Sequence, residues 1–350
     1  MTKSSPPRGA ASSRRGAATL LAASLSAALL LTGCGGGGAD EEPTGSSEAP
    51  AAAGYPVTVD TAYGEITLER RPERIVALSA AYVDMLASID ERPVAFSAGR
   101  WTDGRQLLTD HPWLEGIDVE LLDPSLAPTA FEVSPEALAA HAPDLILGSI
   151  HNVPEDQYAQ LSEIAPTFVG TEPDQATDWR DYLGALGTLT GRTEEAAEAL
   201  AGVETAYAAA RERLPGLQGR TYNSTSFSVE TNDFGFGSGT WLDGLGLVPA
   251  ENQPPPFSGA DRLSLENIDQ LAADVLVTGA APGDSGDVRA ALEADPRFAE
   301  LPAHRNGTVI FNDIRTTLAS ASAPGPLSLT WLLERVVPQL EESALNTSGR

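Results

Sequence analysis

The chain has 350 residues, a formal net charge of −27 and a single cysteine, Cys34. A chain this acidic does not bind nucleic acid through a general electrostatic field, so we expect no nucleic acid partner. One cysteine allows no internal disulfide, and an exported chain without disulfides needs a large hydrophobic core to be stable.

The first residues carry the pattern of an export signal. Basic residues precede an apolar run over residues 17–31, and small residues follow it, which predicts a signal peptide over residues 1–33. The run is shorter than the ~20 residues of a membrane-spanning helix. Residues 34–54 are acidic and rich in Gly, Pro, Ser and Ala, which predicts a flexible tether.

The string Leu31-Thr32-Gly33-Cys34 resembles the lipobox of bacterial lipoproteins. This resemblance implies that Cys34 is diacylated and becomes the first residue of the mature chain. Two acyl chains would anchor the protein stably to a membrane. An ordinary export signal with an unmodified cysteine is the alternative.

The first globular segment predicts a hairpin and then a parallel sheet. Residues 55–59 and 64–68 alternate in polarity and are separated by a short turn, as in a β-hairpin. Residues 74–78 and 94–96 are apolar strands, and a helical pattern ending at Ile89 lies between them. This strand–helix–strand order is typical of a parallel sheet with helices on its faces.

An internal repeat is the most informative feature of the chain. Residues 134–149 (SPEALAAHAPDLILGS) align without a gap to residues 264–279 (SLENIDQLAADVLVTG). Each copy predicts a short helix capped by serine, followed by a buried strand. The repeat therefore predicts two lobes of the same design. The equivalent polar residues are Ser134 and Ser264, Glu136 and Glu266, and Asp144 and Asp274.

Helical segments lie between the two copies. Residues 178–189 form one helical pattern, and residues 193–214 form a longer one that would span roughly 33 Å. A helix of this length between two α/β lobes predicts a stiff connection. The expected domain boundaries are 55–175 for an N-terminal lobe, 176–216 for linking helices and 217–350 for a C-terminal lobe.

The second lobe is predicted to begin with a strand over residues 220–229. A Gly-rich turn over residues 235–239 is predicted to precede a helix that starts near Thr240. Residues 308–311 predict a late strand, and residues 327–340 predict a closing helix.

Residues 72–78 (PERIVAL), 134–148 and 262–267 (RLSLEN) carry a family resemblance. Over residues 55–345 the chain resembles the iron-siderophore binding proteins of bacterial ABC importers, whose fold is shared with vitamin B12 and haem binding proteins. The resemblance implies an α/β fold of two Rossmann-like lobes joined by a single long α-helix, with the ligand cleft between the lobes.

The same resemblance implies a function. It implies a monomeric receptor, lipid-anchored on the extracytoplasmic face of the cell membrane, that binds a ferric siderophore. The receptor would deliver this ligand to an ABC importer permease and, through it, to a cytoplasmic ATPase, with no catalytic residue and no cofactor. In that family one glutamate on each lobe pairs with permease arginines, and the matching positions are Glu136 and Glu266. A haem or cobalamin-like ligand is the alternative within this fold.

The ligand pocket is expected at the carboxyl ends of the strands, where open α/β sheets bind ligands. Ferric siderophores are large, often anionic and partly aromatic, so arginine and aromatic side chains suit them. The polar loop that contains Arg100 and Trp101 is the strongest candidate. The predicted ligand-binding residues are Tyr82, Arg100, Trp101, Arg105, Trp241, Arg262 and Arg315.

Two other functions have weaker support in the sequence. The four histidines, His111, His141, His151 and His304, are scattered without the spacing of a metal site, so no direct metal binding is expected. A serine hydrolase would need a G-x-S-x-G motif, and residues 236–240 (FGSGT) lack both outer glycines. A lipid-anchored hydrolase is therefore the less favoured alternative.

Overall fold

A computed structural model of the chain describes residues 54–97, 104–117, 120–121, 134–150, 152–172, 178–255, 262–321 and 324–347. The side chains of residues 104–106, 121 and 321 are outside this description. The predicted signal peptide, Cys34 and nearly all of the predicted tether lie outside the described residues.

The described chain begins with the predicted hairpin. Strand β1 (Val57–Thr61) pairs antiparallel with β2 (Gly64–Leu68). Ile66 and Leu68 are buried because the alternation of polar and apolar residues in β2 turns one face toward the core. The hairpin prediction is confirmed.

A five-stranded parallel sheet follows, with the strand order β5-β4-β3-β6-β7. The apolar strands form this sheet because helices cover both of its faces. We call the sheet and its helices α1–α4 the N-terminal lobe. Its elements are β3 (Ile75–Ala77), α1 (Ala80–Ser88), β4 (Ala95–Phe96), α2 (Gly104–Asp110), β5 (Glu120–Leu121), α3 (Pro135–Ala140), β6 (Leu145–Leu147), α4 (Glu155–Ser162) and β7 (Thr167–Phe168).

Two helices lead out of the N-terminal lobe. Helix α5 (Trp179–Thr190) is capped by Asp178, whose side chain accepts a hydrogen bond from the backbone N–H of Arg180 at 2.8 Å. It ends at Gly191, whose φ of 69° is the left-handed conformation that glycine adopts without strain. Helix α6 (Thr193–Arg213) has 21 residues and is about 32 Å long, which confirms the predicted long helix.

The second sheet has six strands, in the order β11-β9-β8-β12-β13, and β10 also pairs with β8. Strands β8, β10, β12 and β13 are parallel, whereas β9 is antiparallel to both β8 and β11. We call this sheet with helices α7–α9 the C-terminal lobe. Its elements are β8 (Thr221–Ser228), β9 (Asp233–Phe236), α7 (Thr240–Asp243), β10 (Val248–Pro249), β11 (Leu263–Ser264), β12 (Val275–Gly279), α8 (Val288–Glu293), α9 (Pro302–Asn306) and β13 (Val309–Asn312).

The prediction for residues 235–239 was wrong in part. Gly235 lies inside β9 and not in a turn, because residues 233–236 pair with the end of β8. The guanidinium of Arg262 lies against this glycine, and a Cβ at Gly235 would be only 2.9 Å from Arg262 Nη1. Gly235 therefore leaves room for the Arg262 side chain to lie against β9.

The two copies of the repeat differ in helix type. The first copy is an α-helix, with Pro135 at its first position and Ser134 as its cap. The second is a 3₁₀ helix over Leu265–Leu271 that is interrupted at Asn267. Arg297 Nη1 donates to the Glu266 carbonyl at 2.8 Å, so this oxygen is occupied by a side chain from outside the helix. The prediction of two equivalent short helices is correct in position and wrong in geometry.

The last helices return to the N-terminal lobe. They are α10 (Ile314–Ala321), α11 (Pro326–Glu341) and α12 (Ala344–Thr347). Helix α11 packs against α1, α6 and α10, and Trp331 lies 5.4 Å from Trp113 between ring centroids. At its other end Gln339 Nε2 donates to the Val309 carbonyl of β13 at 2.7 Å. The predicted closing helix thus connects both sheets, alongside α6.

Strand alternation explains how one core serves both lobes. Ile75 and Ala77 of β3 belong to the large central cluster, and Val76 faces a smaller cluster on the other side of the sheet. Strand β12 repeats this alternation: Val275 and Val277 join the central cluster, whereas Leu276 faces a third one. Each sheet is therefore buried on both faces, and helices α5, α6 and α11 lie in the shared core.

A buried carboxylate begins helix α11. Asp84 of α1 is 1% exposed, and it accepts hydrogen bonds from the backbone N–H groups of Leu327 at 2.9 Å and Ser328 at 2.8 Å. Gly325 is required beside it, because a Cβ there would lie 2.6 Å from the carboxyl group. Burial raises the pKa of Asp84 to about 6, although the hydrogen bonds from α11 act to lower it.

This pKa shift predicts how stability depends on pH. A carboxyl group with a raised pKa in the folded state contributes most stability below its ordinary pKa, and this contribution is lost as the pH rises through about 6. The Asp84→Asn variant keeps an oxygen acceptor and removes the charge. We expect its free energy of unfolding, relative to the native protein, to rise by ~1–3 kcal/mol from acidic to alkaline pH.

Urea unfolding of both proteins across this pH range measures the effect. Asp178→Asn is the matched control, since Asp178 also caps a helix but is exposed. Parallel pH profiles of the native protein and the Asp84 variant would contradict the prediction.

Candidate functional site

Parallel strands bring the loops at their carboxyl ends to one edge of each sheet. We call these the carboxyl edges of the two lobes. A crossover helix runs opposite to its strands, so helices that lead from one parallel strand to the next begin at this edge. In the N-terminal lobe the described edge comprises residues 78–80, Ser97, 148–150 and 169–172. In the C-terminal lobe it comprises residues 229–232, 280–284 and 313–315.

Tyr82 packs under the loop after β6, at the carboxyl edge of the N-terminal lobe. It is 4% exposed, and its hydroxyl donates a hydrogen bond to the Gly148 carbonyl in the loop after β6. Its ring packs edge-on against Tyr182 of α5, with centroids 5.6 Å apart. Burial raises the pKa of Tyr82 well above its usual value. The structure thus places Tyr82 under the loop, and its predicted ligand contact stays a prediction.

Arg315, just after β13 at the carboxyl edge of the C-terminal lobe, contacts helix α2 of the N-terminal lobe. Its Nε donates to the Thr109 carbonyl of α2 at 3.0 Å, although the two residues are 206 positions apart. Helices α2 and α10 pack together here. Leu108 and Ile314, which flank the contact in sequence, are 40% and 39% exposed, so this junction has an apolar rim.

The other predicted ligand residues are placed differently. Trp241 is 3% exposed within the central core, and its Nε1 has no hydrogen-bond partner among the described residues. Arg262 is exposed at the β9–β11 edge, where its Nη2 lies 2.6 Å from Asp233 Oδ1. This contact lowers the pKa of Asp233. Arg100 and Trp101 lie outside the described residues.

Glu136 and Glu266 occupy equivalent positions in the two lobes. Both are exposed in the first turn of a short helix that begins at a carboxyl edge. Ser134 Oγ donates to Glu136 Oε2 at 2.7 Å, and this hydrogen bond lowers the pKa of Glu136. Ser264 Oγ accepts from the Glu266 backbone N–H at 3.3 Å. Each lobe therefore presents one exposed glutamate beside its edge.

The described histidines do not form a common site. His111 is buried, with its Nδ1 3.0 Å from the Leu107 carbonyl, and His304 packs edge-on against Phe298. His141 ends helix α3. His151 lies outside the described residues. Within the described part of the chain, no group of three or more His, Cys, Asp and Glu residues is arranged to hold a metal ion.

Three polar residues with structural roles at the site were missed at the sequence level. Asp84 interrupts an apolar helical stretch, Val83-Asp84-Met85-Leu86, and an acid in such a stretch indicates a buried partner. Asn152 and Asp284 lie in loops just after β6 and β12 and bond to the neighbouring loops. Their position after a predicted strand was the available signal.

A family model described as "Periplasmic binding protein" matches residues 75–315. The chain belongs to this family. This match confirms the predicted family. It also confirms the predicted α/β fold class of two lobes with a connecting helix.

Two curated relatives match most of the described chain. Ferric enterobactin-binding periplasmic protein FepB of Escherichia coli O6:H1 is 30% identical over 272 residues, which are 74% of this chain and 84% of that protein. Fe(3+) dicitrate-binding periplasmic protein FecB of Escherichia coli K12 is 26% identical over 223 residues, which are 63% of this chain and 69% of that protein.

Solved structures show the same architecture. A periplasmic solute binding protein from Mycobacterium smegmatis is 26% identical, with a TM-score of 0.65 over 81% of this chain and 97% of that one. PiaA of Streptococcus pneumoniae in complex with ferrichrome is 25% identical, with a TM-score of 0.63 over 81% and 97% of the two chains.

None of the described helices combines the length and hydrophobicity needed to cross a membrane.

The contact of Tyr82 with Gly148 predicts a measurable stability effect. Tyr82→Phe keeps the ring packing and leaves a buried carbonyl without its donor, so the free energy of unfolding should fall by about 1–2 kcal/mol. Tyr63→Phe is the control, because its hydroxyl makes a longer, partly exposed contact of 3.4 Å with Val153. Equal stability of the Tyr82 variant and the native protein in urea unfolding would contradict this placement.

Proposed function

We propose that this protein is an extracytoplasmic receptor that binds a ferric siderophore and delivers it to an ABC importer permease. The Arg315–Thr109 hydrogen bond is the observation that carries this proposal, because it links an arginine that follows β13, at the carboxyl edge of the C-terminal lobe, to helix α2 of the N-terminal lobe. Family membership supports the same site, since such sheets bind ligands at this edge.

The ligand class follows from chemistry and from the relatives. A guanidinium with several donors suits an anionic chelate, and the apolar rim of Leu108 and Ile314 suits its organic part. FepB and FecB are named for ferric enterobactin and Fe(3+) dicitrate, and PiaA was solved with ferrichrome. Iron in a chelate is already coordinated, so the protein needs to supply no metal ligand. A haem or cobalamin-like ligand in the same cleft is the second candidate.

We further propose that the receptor is monomeric and held at the membrane by a lipid on Cys34. A tether over residues 34–54 would let residues 55–345 reach the permease.

Lobes over residues 55–175 and 217–350, joined by residues 176–216, remain the proposed domain division. The contacts of α11 with α1 and α6 mean that the end of the chain also supports the N-terminal lobe. Arg100, Trp101 and Arg105 stay proposed ligand-binding residues.

Tryptophan fluorescence of the purified chain, titrated with ferric siderophores, haem and cobalamin, tests this function. We expect saturable quenching by one ferric chelate and no turnover of it. Arg315→Ala should weaken its binding by about tenfold or more, because a charge-assisted contact is lost. Arg315→Lys should recover only part of the affinity, since lysine lacks the planar fork of donors.

Arg305→Ala is the matched control. Arg305 is an exposed arginine in the last turn of α9, before β13, whereas Arg315 follows β13. Its removal should leave the dissociation constant unchanged. A response to haem or cobalamin alone would change the ligand class, and no response to any compound would overturn the proposed function.

Docking is proposed to use Glu136 and Glu266. Both are exposed beside the carboxyl edges, so arginines of a two-fold permease could pair with both at once. Charge pairs of this kind orient association more than they add affinity.

Uptake of the ferric chelate through the cognate permease measures docking. Glu136→Ala and Glu266→Ala should each lower the uptake rate and leave ligand affinity in solution unchanged, because the proposed partner of both carboxylates is the permease and not the ligand. Glu194→Ala is the control, since Glu194 is also an exposed acid in a first helical turn. Normal uptake by the double variant would contradict the docking role.

A further inference from the structure

Asn152 links the loops that follow the two central strands of the N-terminal lobe. Its Oδ1 accepts hydrogen bonds from the Ser149 backbone N–H at 2.7 Å and from Ser149 Oγ at 3.2 Å. Its Nδ2 donates to the Leu78 carbonyl at 3.0 Å. Leu78 directly follows β3 and Ser149 lies just beyond β6, so one amide side chain joins two loops of the carboxyl edge.

Asp284 links the corresponding loops of the C-terminal lobe. Its Oδ2 accepts from Ser228 Oγ at 2.9 Å and from the Glu230 backbone N–H at 3.1 Å, both at the end of β8. Its Oδ1 accepts from the Gly286 backbone N–H at 2.7 Å, in its own loop after β12. The two loops are in close contact, since a Cβ at Gly286 would be 2.6 Å from Val229 Cβ.

Two further carboxylates hold the same strand pairs at their opposite ends. Asp144 accepts from the backbone N–H groups of Glu73 at 2.9 Å and Arg74 at 2.7 Å, just before β3. Asp274 accepts from the Thr221 backbone N–H at 3.0 Å and from its hydroxyl at 3.1 Å, at the start of β8. These are the equivalent aspartates of the internal repeat.

Each central strand pair is therefore held at both ends by one side chain. The residue types at the carboxyl edges follow from their partners. The Asn152 side chain bonds to one carbonyl and two donors, so it needs both the N–H and the oxygen of an amide. The Asp284 side chain bonds to three donors, so it needs the two acceptor oxygens of a carboxylate. Asp144 and Asp274 lie at the opposite, amino edges of the sheets, where the strands begin. Their partners in these contacts are all hydrogen-bond donors, so a carboxylate suits these positions too.

We propose that Asn152 and Asp284 are positioning residues of the ligand cleft, and that Asp144 and Asp274 stabilise the fold alone. This inference rests on the proposed function, because it identifies the carboxyl edges with the cleft. Loops held at the spacing of the bound state lose less conformational freedom when the ligand binds, which raises affinity. Contacts at the amino edges restrain the same strands away from the ligand.

Four alanine variants of the full chain, one for each side chain, separate the two roles. Affinity for the ferric siderophore that binds the native protein is measured by fluorescence titration, and stability by urea unfolding. Asn152→Ala and Asp284→Ala should weaken binding by about tenfold. Asp144→Ala and Asp274→Ala should lower the urea midpoint at least as much and leave affinity within about twofold of the native value.

Conservative variants keep the test decisive where an alanine variant fails to fold. Asp284→Asn retains one of the two acceptor oxygens, and Asn152→Asp retains the acceptor but loses the donor to Leu78. Both should lie between the alanine variant and the native protein in affinity. Hydrogen exchange of the Glu230 and Gly286 amides should accelerate in the Asp284 variants and stay unchanged in the Asp274 variant.

Equal affinity losses at both edges, or unchanged affinity in the Asn152 and Asp284 variants, would overturn the positioning role while the proposed function stood. Failure of the native protein to bind any ferric siderophore would overturn the proposed function and this inference with it. The two failures are distinguishable, because the native titration is measured first.

Discussion

The contact of Asp84 with the first turn of α11 joins the two halves of this molecule. A carboxylate that is 1% exposed needs strong partners, and the free N–H groups at the start of a helix supply them. From this point α11 runs through the central core to β13. The sheets therefore share one core with α6 and α11, and a wide opening of the lobes would expose it. We therefore expect only small closing movements when a ligand binds.

The topology also explains why Arg315 and the two glutamates proposed for docking lie on the same side of the sheets. Crossover helices run opposite to the parallel strands, so a helix that leads into the next strand begins at the carboxyl edge. Glu136 and Glu266 lie in such first turns, and Arg315 lies in the first turn of α10. One architectural rule thus places Arg315 of the proposed ligand site and the glutamates proposed for permease docking on the same side of the sheets.

The two aspartates of the internal repeat have a structural role that the sequence alone did not show. Asp144 and Asp274 were expected only as residues that lead into strands, but each accepts hydrogen bonds from the start of the neighbouring strand. The apolar strands, the long helix and the hairpin were predictable because alternating polarity and apolar runs are local signals in the sequence. Strand β9 was missed because glycines in a sequence indicate a turn, whereas here Gly235 makes room for Arg262.

The sequence by itself determined the family, the strands and helices with clear local patterns, and the two equivalent glutamates, since each depends on residues close together in the chain. Only the tertiary structure decided which partners the predicted ligand residues have. Tyr82 and Trp241 became core residues and Arg262 an ion-pair partner, while Arg315 reached Thr109 across 206 positions. Side-chain burial and long-range contacts depend on how the helices pack over both sheets, and no local pattern contains that information.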